Sequence, residues 1–223
     1  MACASAHVQV MNGFLAKADA KDKLTGLLQY ACLFLSAGEA GNLKKVQASI
    51  TVARKVFRVM RPLELISPLL IQPVFTGKQP VVLEAINKLK TLCMALYFGA
   101  DHLVWAQQLG LVDKKTGDKF STLSLAGWAY GSVLAAIAEI YQISNLHVKR
   151  EEGESEEAFA KRVEVAKAAM NKHCFALFSA AIQTLLAFSV KGSIKLRPRT
   201  LGLVGVISQS LGCWSLIPAY PKK

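Results

Sequence analysis

The chain has 223 residues, enough for one or two compact domains with a sizeable core. It is 52% hydrophobic with a mean hydropathy of +0.32, yet it carries a formal charge of +12. Apolar and cationic character together point to a membrane partner and argue against nucleic acid, whose binders usually carry their cations on polar domains with exposed stacking aromatics. The five cysteines (Cys3, Cys32, Cys93, Cys174, Cys213) are scattered, odd in number and never spaced CxxC. That pattern speaks against a disulfide framework or a zinc site and suits a reducing, cytosol-facing setting. The opening "MACASAHVQVMNGF" has no cationic n-region, so no cleaved secretory signal is expected.

In chain order, "KADAKDKLTGLLQYACLFLSAG" predicts a helix, with Leu24, Leu27, Leu28, Ala31 and Leu35 at 3.6-residue spacing and Gly38 as its stop. A second helix begins near Leu43 and ends close to Arg61, because Pro62, Pro68, Pro73 and Pro80 open a stretch expected not to continue a regular helix. A third runs from about Val81 to Leu111, followed by a polar turn, "VDKKTGDKF" (112–120). From Phe120 no charge appears until Glu139. The acidic "KREEGESEE" (149–157) reads as a solvated loop entering a helix, with Ser155 as N-cap and Glu156 and Glu157 in the first turn.

The last quarter holds two uncharged segments, 174–190 and 200–220, around the basic "KGSIKLRPR". At 1.5 Å per residue they reach roughly 25 and 31 Å, against a hydrocarbon core of about 30 Å. The second is thus the stronger candidate span, with Trp214 and Tyr220 suited to an interfacial belt. The first is marginal, spanning with snorkelling Lys172 and Lys191 or packing as a core helix. No strand signal competes. The expected fold class is all-α: a helical membrane protein with an N-terminal amphipathic helical region (1–148), the acidic loop 149–157, and C-terminal hydrophobic helices that anchor it (158–223).

The segment "ITVARKVFRVMR" (50–61) is both apolar and basic, without an acid. On a helical wheel Val46, Ile50, Ala53, Val56, Phe57, Met60 and Leu63 fall together, widened by Val52 and Val59, while Lys44, Arg54, Lys55, Arg58 and Arg61 collect opposite. This suits an interfacial helix over about 43–61. Val46, Ile50, Ala53, Val56, Phe57 and Met60 would enter the acyl boundary, and the five cations would contact anionic lipid headgroups. The alternative is a bundle helix whose stripe packs on its neighbour while its cations face water.

Small residues four apart, Gly127, Gly131 and Ala135, and later Ser208 and Gly212, make helix-packing faces that also suit an oligomer contact. Asp101, His102 and Glu139 interrupt apolar helices, as polar-face residues or as the lining of a polar pathway. Catalysis finds no foothold: there is no phosphate loop, no HExxH and no Ser-His-Asp set, and His7, His102, His147 and His173 stand isolated. His173 and Cys174 read as a helix end rather than a catalytic pair. No enzyme activity, cofactor or metal is expected.

Four stretches carry a resemblance: "KDKLTGLLQYACLFL", "ARKVFRVMRPLE" (53–64), "LYFGADHLVWAQQLGLVDKK" (96–115) and "GWAYGSVLAAIAEIYQI" (127–143). In this order, and covering most of the chain, they resemble the peroxisomal membrane protein 11 (peroxin-11) family. The resemblance implies an integral peroxisomal membrane protein that elongates and proliferates the organelle, its amphipathic helix tubulating the membrane ahead of fission. It also implies self-association and a fission machinery that includes a dynamin-related GTPase. Some relatives end in a dilysine signal three and four residues from the end, whereas here Lys222 and Lys223 are the last two, which puts coatomer recruitment in doubt. A channel for small metabolites and a peripheral interaction scaffold remain the alternatives. The basic loop 191–199 argues for a cytosolic loop between the last two segments. The resemblance implies that both termini face the cytosol, so one of those segments is expected not to span.

Overall fold

The computed structural model describes residues 2–73 and 75–220, which form eight helices and no strand. These are α1 (Ala2–Leu15), α2 (Ala18–Ser36), α3 (Asn42–Val56), α4 (Arg61–Ile71), α5 (Val81–Gln108), α6 (Lys114–Ser144), α7 (Glu156–Val190) and α8 (Pro198–Leu216). The chain is all-α, as its periodicity requires. Lys222 and Lys223 lie outside the described residues.

Local chemistry explains most boundaries. α2 stops where Ala37 adopts a left-handed conformation (φ 51°) and Gly38 follows at φ 84°. Ser155 caps α7 by accepting from the Ala158 N–H at 3.3 Å, with Glu156 and Glu157 in the first turn. Replacing Ser155 with Ala should cost about 1 kcal/mol and fray this end alone. Amide exchange at 156–159 would register that change, and unaltered protection would show the cap to be idle.

Two sequence expectations are corrected. Residues 62–73 do not lack regular structure: Pro62 sits in the first turn of α4, where its missing N–H costs nothing, and Pro68 is accommodated inside the helix. Likewise the turn expected over 112–120 gives way to helix from Lys114. Asp113 caps it, its carboxylate accepting from the Thr116 N–H at 2.9 Å and from the Thr116 hydroxyl at 2.6 Å.

Six helices close a ring: α5 on α6, α6 on α7, α7 on α8, α8 on α2, α2 on α3, and α3 lightly back on α5, while α4 lies along α5. The C-terminal region is therefore not set apart from the N-terminal helices. Tyr30, Trp128, Ala129, Leu186, Ala187 and Val204 make the apolar centre. Glycines set the spacing. A Cβ on Gly127 would stand 2.7 Å from the Cys93 carbonyl oxygen, and one on Gly202 would stand 2.5 Å from the Phe34 nitrogen, so α6 on α5 and α8 on α2 approach backbone to backbone. Gly131 lies over Met94 and Gly212 over Lys23. Ser208 is buried in α8 and Ala135 is half-buried in α6, and the glycines of both faces meet neighbouring helices of the same chain.

The burial pattern is partly inverted. Asp22, Arg54, Lys55, Glu84, Ser132 and Gln209 are buried, whereas Leu70, Ile71, Leu111 and Trp214 are more than two-thirds exposed. An exterior this apolar around a partly ionic interior suits a lipid environment.

The span expectation also shifts. Among the described residues, α6 and α7 are the two helices long and apolar enough to cross a membrane, and α8 is not. Arg199 at its start and the polar Ser208 and Gln209 lower its hydropathy, and both polar residues turn inward. The α6 run without charge, 120–138, covers about 28 Å.

Candidate membrane-contacting face and its buried charge cluster

α3 and the turn after it present one face outward. Val46, Val52, Val56, Val59 and Met60 are between 41% and 62% exposed, Ala53 is exposed, and Ile50 and Phe57 are half-buried. α4 also exposes Leu63, Leu70 and Ile71 and has no buried residue.

Of the five cations on the wheel's other face, Arg54, Lys55 and Arg58 turn inward rather than toward solvent or headgroups. Asp22 of α2 receives two guanidiniums at once. Arg54 donates to it from Nε at 3.0 Å and from Nη2 at 3.1 Å, and Arg58 donates from Nε at 2.8 Å and from Nη2 at 3.1 Å. Arg54 also donates to Gln29 Oε1 at 2.7 Å, and Arg58 to the Tyr97 hydroxyl at 2.9 Å. Lys55 pairs with Asp101 on α5. This corrects the expectation that Arg54, Lys55 and Arg58 contact headgroups. A cation beside low-dielectric protein gains more from a fixed carboxylate than from water only if its hydrogen bonds are filled, and here Asp22 and Asp101 fill them. Arg61 pairs with Asp19 and Glu64 at the surface, and Lys44, although exposed, donates to the Gly38 carbonyl at 3.3 Å.

Burial pushes the Asp22 carboxyl upward, but the Arg58 and Arg54 guanidiniums and their hydrogen bonds outweigh it and hold its pKa below the ordinary 3.8. Burial pulls the neighbouring Lys23 ammonium down from its ordinary value, with Asp22 only partly opposing. Elsewhere, Glu139 accepts from His173 at 2.7 Å, tying α6 to α7.

The wheel identified the outward ridge but placed the cations on the wrong surroundings, because it contains no other helix. Asp22 was missed. Its signal was an acid on the helix before an acid-free run of cations, where Asp19 and Asp22 are the only acids of α2. Asp101 had been singled out as a polar interruption, without its partner. Leu70 and Ile71 were missed because the prolines masked α4.

A family model described as Peroxisomal biogenesis factor 11 (PEX11) matches residues 9–217. The chain belongs to this family. This PEX11-family chain is similar to Peroxisomal membrane protein 11C of Arabidopsis thaliana, 29% identical over 94% of this chain and 92% of the relative. It is also similar to Peroxisomal membrane protein 11D of the same plant, 29% identical over 94% and 91%. Peroxisomal membrane protein 11A of Homo sapiens is 25% identical over 61% of this chain and 58% of its own length. No solved structure matches. Membership in PEX11 makes this a peroxisome biogenesis protein, and the resemblance drawn from the four sequence stretches names the same family.

Proposed function

We propose that this protein resides in the peroxisomal membrane and promotes proliferation of the organelle by bending that membrane with the outer ridge of α3 and α4. The supporting observation is the set of exposed apolar side chains on α3, the turn after it and α4, from Val46 to Ile71, beside Arg54, Lys55 and Arg58, which are paired internally. Its relatives' names, peroxisomal membrane proteins 11C, 11D and 11A, support the location.

The physics is a wedge. Fully burying a large apolar side chain is worth about 1.5–3 kcal/mol, so several together hold the ridge in the acyl boundary of one leaflet. Area added to that leaflet alone favours positive curvature and elongation. α6 and α7 would cross the bilayer as a hairpin, which places the α6 N-terminus and the α7 C-terminus, with the basic segments 113–119 and 191–199, on one side. Seven Lys and Arg lie on that side, against six between the two uncharged runs (Lys149, Arg150, Lys161, Arg162, Lys167, Lys172), so the positive-inside rule gives only a one-residue margin for placing it in the cytosol. With α8 not spanning, it stays on the same side as the basic loop that precedes it. Self-association and a dynamin-related GTPase that cuts the elongated membrane complete the proposal.

The test reconstitutes the full chain into liposomes and compares it with a Val56→Glu, Met60→Glu double variant. Both positions are more than half exposed, so folding should change by no more than about 0.5 kcal/mol each. Wild type should draw tubules and the variant should not, at equal incorporation and equal Tm. Because the central cations are paired inward, tubulation should survive substantial salt. Equal tubulation by both proteins would sink the wedge.

A further inference from the structure

We infer that the cavity at the axis of the six-helix ring is a binding site for a small protonated oxyanion, of the class of hydrogen phosphate or a phosphate monoester. The cavity measures about 200 Å³ and draws its lining from all six ring helices. One water needs only about 10–15 Å³ of such space, so the volume exceeds what a single bridging water fills.

Charge selects the sign of the occupant. Lys23, Arg54, Lys55 and Arg58 line the cavity against only two carboxylates, Asp22 and Asp101. The two arginines and Lys55 have those carboxylates as partners, whereas Lys23 has no hydrogen bond or ion pair among the described residues. Arg54 and Lys55 are buried and Lys23 and Arg58 half-buried, and a surplus of positive charge held partly out of water is stabilised by an anion that joins it.

A second group narrows the class. Gln209 of α8 lines the same cavity, is 3% exposed, and its Oε1 has no hydrogen-bond partner among the described residues. That oxygen and the Arg54 guanidinium carbon both stand 2.8 Å from where a Cβ on Gly26 would be, so the bare glycine lets the two groups approach each other at the cavity's edge. An acceptor beside a cation suits a ligand that brings both negative charge and an O–H. Hydrogen phosphate does so, as does a phosphate monoester in its monoanionic form, and sulfate, similar in shape and charge, does not. The lining residues Ser121 and Ser124 of α6 and Val190 of α7 place the cavity toward the α6 N-terminus and the α7 C-terminus. A free phosphate or the phosphate of a lipid headgroup could enter there.

This inference does not rest on the wedge, whose residues lie on the exterior. The experiment is calorimetric titration of the full chain in neutral-lipid nanodiscs with sodium hydrogen phosphate, sodium sulfate and glycerol phosphate, repeated with phosphatidic acid in the disc. Phosphate should bind with saturable heat and sulfate about tenfold more weakly. Lys23→Met should weaken phosphate about tenfold, Lys23→Arg should retain it, and Gln209→Leu should erase the preference over sulfate. Abolition of the phosphate heat by phosphatidic acid would identify the headgroup as the source, and persistence would identify the free ion. Absence of saturable heat in a wild type of normal Tm, or Lys23→Met and wild type binding phosphate alike, would overturn the site. The Val56→Glu, Met60→Glu variant should bind as wild type does.

Discussion

Replacing Asp22 with Ala should cost about 3–5 kcal/mol of stability, the range for removing one partner of a buried ion pair. Its carboxylate is 9% exposed and holds Arg54 and Arg58 together, so its loss leaves two guanidiniums with no shared counter-charge. Arg54→Met should cost clearly less, because Asp22 keeps Arg58. Thermal unfolding of both variants beside wild type checks the order, and equal losses would show that the carboxylate is not the hub. A pH series gives a second readout. The folded pKa of Asp22 lies below its unfolded value of 3.8, so its contribution is fully present above about pH 4 and is lost as pH falls through the folded value. The Tm gap between wild type and Asp22→Asn should therefore be constant from neutral pH to about 5 and close in stronger acid. The variant carries a functional consequence as well. With α3 untethered from α2, Arg54 and Arg58 become available to headgroups, and liposome binding should turn from weakly to strongly salt-dependent.

Gly202→Val should be the most damaging packing change, costing about 3 kcal/mol or more. A Cβ there would lie 2.5 Å from the Phe34 nitrogen and 2.7 Å from its Cα, and backbone cannot rotate aside as a side-chain tip can. α8 would have to leave α2, carrying Gln209 away from the cavity and opening the ring. Gly212→Ala, which meets only the flexible Lys23 side chain at 3.0 Å, is the control and should be nearly silent. Cysteine crosslinking across α2 and α8 together with thermal unfolding would measure both effects. A stable Gly202→Val chain with the two helices still in register would show that the close approach is not required.

Much of this was legible in the chain itself. Periodicity and caps dictated the all-α class, and the α7 N-terminus at Ser155 followed from side-chain chemistry that acts within four residues. The outward ridge of α3 was readable for the same reason, since a wheel needs only 3.6 residues per turn. Four ordered stretches placed the chain in its family. α4 was obscured because proline's cost depends on position: Pro62 falls in a first turn, where no N–H is needed, and neither composition nor spacing says so.

What only the tertiary structure decided is where the charges go. Lys44 to Arg61 carry no acid, so along the chain these cations have no partner, and solvent or a headgroup is the natural expectation. Asp22 lies 32 residues before Arg54, and Asp101 lies 46 residues after Lys55. Only closure of α2, α3 and α5 into one ring brings them within hydrogen-bond range. The same closure turns Gly127 and Gly202 from generic small residues into contacts between particular helices, and leaves Lys23 and Gln209 facing a shared cavity. Local propensity acts over a few residues and is written in sequence order, whereas pairing of buried charge depends on which helices become neighbours, which is a property of the packed chain as a whole.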